Sequence, residues 1–194
     1  MFTKTSKRLT RRRMVRSSFG LVLSVFALAF ATTAFAAPPK VGDKAPAFTL
    51  DDLQGSKMTL ASQVKKGAVV LIMLRGYPGY QCPICTAQVG SYLSRAKDFG
   101  KTPVILVYPG SAEGLKEHAN EFVNGKNLPA NFHILLDPDF KFTKRYDLRW
   151  DAAGETSYPS TFVIDRKDVV RFAKVSHSHG DRAKVEDVLK ALGR

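Results

Sequence analysis

The only two cysteines of this 194-residue chain stand three residues apart, in Cys82-Pro83-Ile84-Cys85. A pair of thiols at that spacing can do redox chemistry, because a thiolate is the nucleophile in disulfide exchange and in attack on a peroxide oxygen. Against a disulfide, one cysteine forms a mixed disulfide and the other resolves it. Against a peroxide, one becomes a sulfenic acid that condenses with its neighbour. Both routes end in a Cys82–Cys85 disulfide that an external thiol reductant must reopen, and neither requires a metal or organic cofactor. An inert staple is a poor alternative, since so short a loop constrains little chain entropy.

Such a pair needs an element to hold it. The run Ala68-Val69-Val70-Leu71-Ile72-Met73-Leu74 reads as a buried strand, and the residues after Cys85 read as a helix to about Asp98. The cysteines then lie where a strand passes into a helix N-terminus, where unpaired backbone N–H groups and the helix dipole favour an anion. Pro83 suits the first helical turn, because its missing N–H would be unpaired there. Arg75, just past the strand, is expected to be the cation that lowers the thiolate pKa.

The flanking segments alternate. Short strands are expected at Ala47–Leu50 and Lys57–Leu60 around a turn, then strands at Pro103–Tyr108 and Phe132–Leu136, with a helix capped by Ser111 between them. A short helix over Asp139–Tyr146 follows, then a strand pair at Ser160–Asp165 and Val169–Val175, and a last helix from about Asp181 to Leu192. This order predicts an α/β fold, a mixed sheet with helices on both faces.

The first 36 residues carry seven basic residues and no acidic one, then an apolar stretch from Phe19 to about Ala31 and the small-residue end Ala34-Phe35-Ala36. That is the pattern of a cleaved secretory signal peptide. Arg11-Arg12-Arg13 within it resembles a twin-arginine export motif. The apolar stretch is shorter than the roughly 20 residues of a spanning helix. The expectation is therefore a signal at 1–36, one domain at 37–194, an exported or periplasmic location, and no stable membrane span after cleavage. The whole chain has a net charge of +13, which falls to +6 once the signal is removed, with Lys and Arg dispersed along it. A nucleic-acid partner is excluded on that ground. Two cysteines are also too few for a disulfide-dense secreted scaffold.

With Cys-x-x-Cys after a buried strand, and Tyr158-Pro159-Ser160-Thr161-Phe162 entering a later one, the chain resembles the thioredoxin-fold superfamily. The run Val41-Gly42-Asp43-Lys44-Ala45-Pro46-Ala47-Phe48-Thr49-Leu50 and the run Phe162-Val163-Ile164-Asp165 are similar to the peroxiredoxin group (alkyl hydroperoxide reductase/thiol-specific antioxidant, or redoxin). The likeness covers residues 41–194. It implies a thioredoxin-like fold with an N-terminal hairpin, and a cis Pro159 beside the redox cysteines. The peroxiredoxin pattern Pro-x-x-x-Thr-x-x-Cys matches Pro78-Gly79-Tyr80-Gln81-Cys82-Pro83-Ile84-Cys85 with Cys82 in place of threonine. That alignment makes Cys85 the peroxidatic residue, whereas the thioredoxin alignment makes Cys82 the attacker. The arginine that peroxiredoxins place before the late strand is here Pro159.

Three functions follow. One is a thiol peroxidase acting on peroxides, reduced by a thioredoxin-like donor. Another is a thiol–disulfide oxidoreductase acting on protein disulfides. A metal carrier would use the cysteines with His177 and His179, a set of four ligands, although the fold resemblance puts these histidines away from the site. His118 is expected on a helix surface and His133 at a strand end. Tyr77, Tyr80 and Trp150 are candidate groove or packing residues, and Arg149 is a candidate to reach the site from its loop.

Overall fold

The computed structural model describes residues 1–3 and 37–194. The basic and apolar runs read as an export signal lie outside the described residues. Among the described residues, no helix is long and apolar enough to cross a membrane.

Residues 37–194 build one seven-stranded mixed sheet. In chain order the elements are β1 (Thr49–Asp52), β2 (Lys57–Thr59), α1 (Leu60–Val64), β3 (Val69–Met73), α2 (Pro83–Ser94), β4 (Val104–Gly110), α3 (Leu115–Val123), β5 (Phe132–Pro138), α4 (Lys141–Arg145), β6 (Ser160–Ile164), β7 (Val170–Val175) and α5 (Val185–Ala191). The strand order across the sheet is β2-β1-β5-β4-β3-β6-β7. β3, β4 and β5 run parallel. The remaining neighbours are antiparallel, so a hairpin closes each edge of the sheet.

Burial on both faces explains the unbroken apolar runs of the central strands. Every residue of β3 is buried. Val70 and Ile72 point to one core, shared with Val89 and Tyr92 of α2, Phe122 of α3 and Val188 of α5. Val69, Leu71 and Met73 point to the other, shared with Leu60 of α1 and Phe142 of α4. Alternate side chains of a strand face opposite ways, so one strand feeds two cores.

Three local expectations shift. Leu60 does not extend β2; Thr59 caps α1 instead, its hydroxyl accepting from the Ser62 amide at 3.0 Å. β4 runs on through Pro109 to Gly110, which moves the start of α3 from Ser111 to a left-handed Gly114 (φ 69°). The last helix begins at Val185 rather than near Asp181, because Ser176 to Lys184 form an irregular loop. That loop supplies the site with a residue no local pattern marks.

Candidate active site

Cys82 caps α2 with extended backbone (φ −71°, ψ 111°), and Pro83 takes the first helical position. The Cys85 amide donates to Cys82 Sγ at 3.3 Å, so the sulfur serves as the helix cap. The Arg75 amide donates to Cys85 Sγ, also at 3.3 Å, joining the end of β3 to the helix. The two sulfurs are not joined in a disulfide, and both cysteines are buried, at 2% and 1% exposure. The pair thus sits beyond the carboxyl end of a central parallel strand, where open α/β sheets gather their sites.

The two thiols differ. A hydrogen bond from Cys85 holds Cys82 far below the ordinary thiol value, at about 5; burial opposes this, while backbone amides and Arg182 support it. Cys85 moves the opposite way: donation to Cys82 and burial raise it well above the ordinary value. The Cys82 sulfur, standing at the helix cap, is thus the side of the pair that favours the thiolate, and Cys85 the side that favours the thiol.

The cation beside the sulfurs is Arg182, whose Nη2 lies 3.7 Å from Cys85 Sγ. Its Nε donates to the His179 carbonyl at 2.8 Å and its Nη1 to Gln88 Oε1 at 3.0 Å. The expectation for Arg75 is corrected. Its guanidinium turns away from the sulfurs and donates to Glu155 Oε2 (2.8 Å), the Tyr80 hydroxyl (2.6 Å) and the Gly154 carbonyl (2.8 Å). Only its backbone amide reaches a cysteine.

Pro159 is corrected as well. No peptide bond among the described residues is cis. The chain from Thr156 to Ser160 is tied on both sides, by the Tyr158 amide to Leu148 and by the Ser176 amide to the Pro159 carbonyl. From this run, Ser157 Oγ donates to the Leu74 carbonyl at 2.8 Å and Thr156 Oγ1 to the Arg75 carbonyl, which pins the end of β3 under the cysteines.

The turn from Gly76 to Gln81 carries Pro78, followed by a left-handed Gly79 (φ 115°). Gly76 (φ 69°) passes so close to β4 that a Cβ there would stand 1.9 Å from the Pro109 carbonyl oxygen. Gln81 fastens the turn to its neighbours: it donates to the His118 carbonyl (2.9 Å) and accepts from the Tyr108 hydroxyl (2.9 Å). Tyr77 stacks on His118 of α3 with ring centroids 3.6 Å apart, so this histidine braces the turn. Tyr80 and Ile84, on either side of Cys82 in the chain, are exposed.

His179 lies closer to the site than expected. Its Nε2 meets Glu155 Oε1 at 2.9 Å, and Glu155 in turn holds Arg75. His177 is exposed and packs edge-on against Tyr158. Trp150 stacks on Tyr158 beside His179. Arg149 bonds the carbonyls of Trp150, Glu155 and Thr156, so it holds its own loop rather than reaching the cysteines. His133 is half-buried on β5, and burial lowers its pKa. Among the described residues, no group of three or more His, Cys, Asp or Glu side chains is placed to hold a metal.

Residues 41–173 match the AhpC/TSA family profile. A peroxiredoxin of Thermoplasma volcanium is 26% identical over 164 residues, 80% of this chain and 74% of that protein. A chloroplastic peroxiredoxin Q of Populus jackii is 28% identical over 151 residues, 78% of this chain and 67% of that protein. Among solved structures, peroxidoxin BcpB of Mycobacterium tuberculosis has a TM-score of 0.63 at 21% identity, covering 80% of this chain and 97% of that one. The fold is thioredoxin-like. From its fold and from the profile across most of its length, the chain belongs to the AhpC/TSA family.

Proposed function

We propose that the protein is a thiol peroxidase in which Cys82 attacks the peroxide and Cys85 resolves the product. Family membership supports thiol-dependent antioxidant chemistry. The order of attack rests on the Cys82 sulfur capping α2, where it accepts the Cys85 amide at 3.3 Å, with its pKa lowered and that of Cys85 raised. The Cys82 thiolate takes the distal peroxide oxygen as the O–O bond breaks, giving a sulfenic acid and an alcohol or water. Cys85 then forms the S–S bond as the S–O bond breaks and water leaves. An external dithiol, such as a thioredoxin-like donor, returns two electrons and restores both thiols. The exposed Tyr80 and Ile84 offer that donor an apolar contact beside the sulfur.

The basic and apolar runs of residues 1–36 support export, so the proposed location is periplasmic, with the mature domain at 37–194. Peroxide consumption under a dithiol, measured for Cys82→Ser and Cys85→Ser separately, tests the reading. Cys82→Ser is expected to slow the first oxidation greatly, and Cys85→Ser to permit one round that stops at a sulfenic acid. Insulin reduction without peroxide turnover would replace it with a thiol–disulfide oxidoreductase of protein disulfides.

A further inference from the structure

We propose that Arg182 is a catalytic residue of the resolving step, holding the negative charge on Cys85 while the disulfide closes, and that Gln88 positions it. This rests on the peroxidase reading above. The guanidinium is fixed from two sides and aimed by both: the His179 carbonyl holds Nε at 2.8 Å and Gln88 Oε1 holds Nη1 at 3.0 Å, leaving Nη2 at 3.7 Å from Cys85 Sγ. Gln88 is buried on α2, and its Nε2 reaches Thr161 Oγ1 of β6 at 3.5 Å, which orients the amide oxygen towards Arg182. Arg182 forms no salt bridge with a carboxylate among the described residues, in contrast to Arg75, whose charge is met by Glu155. An arginine without a carboxylate, held beside a buried thiol, is placed to meet an anion that forms only during reaction.

That anion is Cys85. In the reduced pair the charge resides on Cys82, and that thiolate together with burial keeps Cys85 protonated. Once Cys82 is a neutral sulfenic acid, its restraint on Cys85 is gone. Arg182 and the Arg75 amide remain on the Cys85 sulfur, and both favour its ionised form. The Cys85 proton passes to the departing hydroxyl, the sulfur attacks Cys82, and water leaves; Arg182 keeps its own proton throughout. Other charged or titratable groups near the pair do not compete for this proton. Tyr108 is raised by burial and stays neutral, and Glu155 is tied to Arg75 and His179.

Rapid quench with a sulfenic-acid trap and mass spectrometry separates the two half-reactions. The variants are Arg182→Met, Arg182→Lys, Gln88→Leu and Gln88→Glu, the last keeping the acceptor for Arg182. Sulfenic acid formation is followed in the same quench, and because Arg182 also favours the Cys82 thiolate, closure is read relative to formation in each variant. Disulfide closure is expected to slow about tenfold in Arg182→Met and Gln88→Leu, the effect of one unit of thiol pKa. That deficit should shrink as pH rises, Arg182→Lys should recover most of the rate, and Gln88→Glu, which sets a carboxylate against Arg182, should stay slow. Undiminished closure in both Arg182→Met and Gln88→Leu, with sulfenic acid still forming, overturns the role of Arg182 alone. No sulfenic acid in the unmodified protein overturns the peroxidase reading, and this inference with it.

Discussion

Arg75 and Glu155 form a buried ion pair 2.8 Å long, with the two side chains 4% and 12% exposed, at the point where β3 hands the chain to the cysteine turn. Glu155 spends its other oxygen on His179, so one carboxylate joins the start of the turn to the loop that carries Arg182. The pair is a support for the site rather than a participant in its chemistry.

Removing that support has a measurable cost. Glu155→Ala leaves a buried guanidinium without its counter-charge, and the expected loss is about 2–3 kcal/mol in denaturant unfolding, moderated because Tyr80 and Gly154 still accept from Arg75. Burial raises the Glu155 pKa, but hydrogen bonds from Arg75 and His179 outweigh it and hold the group below its ordinary value. A carboxylate depressed in the folded state stabilises above its unfolded pKa, about 4.3, and loses that contribution as pH falls through the folded value. The gap between Glu155→Ala and the unmodified protein should therefore be full at neutral pH and close under acid conditions.

The thiolate assignment is open to titration. Alkylation of Cys82 by a small reagent should follow ionisation with a midpoint of about 5. Cys85→Ala removes the thiol that donates to it, and the midpoint should rise by about a unit or more. Unfolded Cys82 holds its proton up to about pH 8.5, whereas the folded residue has lost it by pH 7. The reduced protein should accordingly gain stability as pH rises from about 5 to about 8.5, and Cys82→Ala should abolish that slope.

Gly76 has no substitute. A Cβ there would lie 1.9 Å from the Pro109 carbonyl oxygen, at a left-handed φ of 69° that an L side chain seldom adopts. Gly76→Ala is expected to cost on the order of 3 kcal/mol in unfolding experiments. It should also slow Cys82 alkylation relative to the unmodified protein, because the turn that begins at Gly76 leads to the cap.

Gln81 fastens the other end of that turn. It bonds both α3 and Tyr108, and Cys82 beside it is only 2% exposed. Gln81→Ala should raise the reactivity of Cys82 towards a bulky maleimide more than towards iodoacetamide. Equal acceleration of both reagents would show that the turn does not limit access.

Much of this arrangement was legible in the sequence, for identifiable reasons. The apolar run of β3 must be covered on both faces, and Pro83 with the helical spacing after it fixes where α2 begins, so the cysteines' place at a strand-to-helix junction followed from local pattern. Gln88 and Arg182 did not. They lie 94 residues apart in the chain and meet only because β6 and the loop before α5 return to the end of β3. Arg75 shows the converse error: it is near the cysteines in sequence, but its side chain leaves on the far side and only its amide stays. The nearness of His179 is a tertiary fact of the same kind, set by its contact with the Glu155 carboxylate.

Trapping the sulfenic acid distinguishes attack by Cys82 from attack by Cys85. Each single-cysteine variant is treated with one equivalent of peroxide at neutral pH, quenched with a sulfenic-acid trap, and mapped by peptide mass spectrometry. Rapid modification is expected at Cys82 in Cys85→Ser, and at Cys85 in Cys82→Ser only modification far slower than the first oxidation of the unmodified protein. Sulfenic acid appearing on Cys85 in Cys82→Ser, at the rate of the unmodified protein, would contradict attack by Cys82 and make Cys85 the peroxidatic residue.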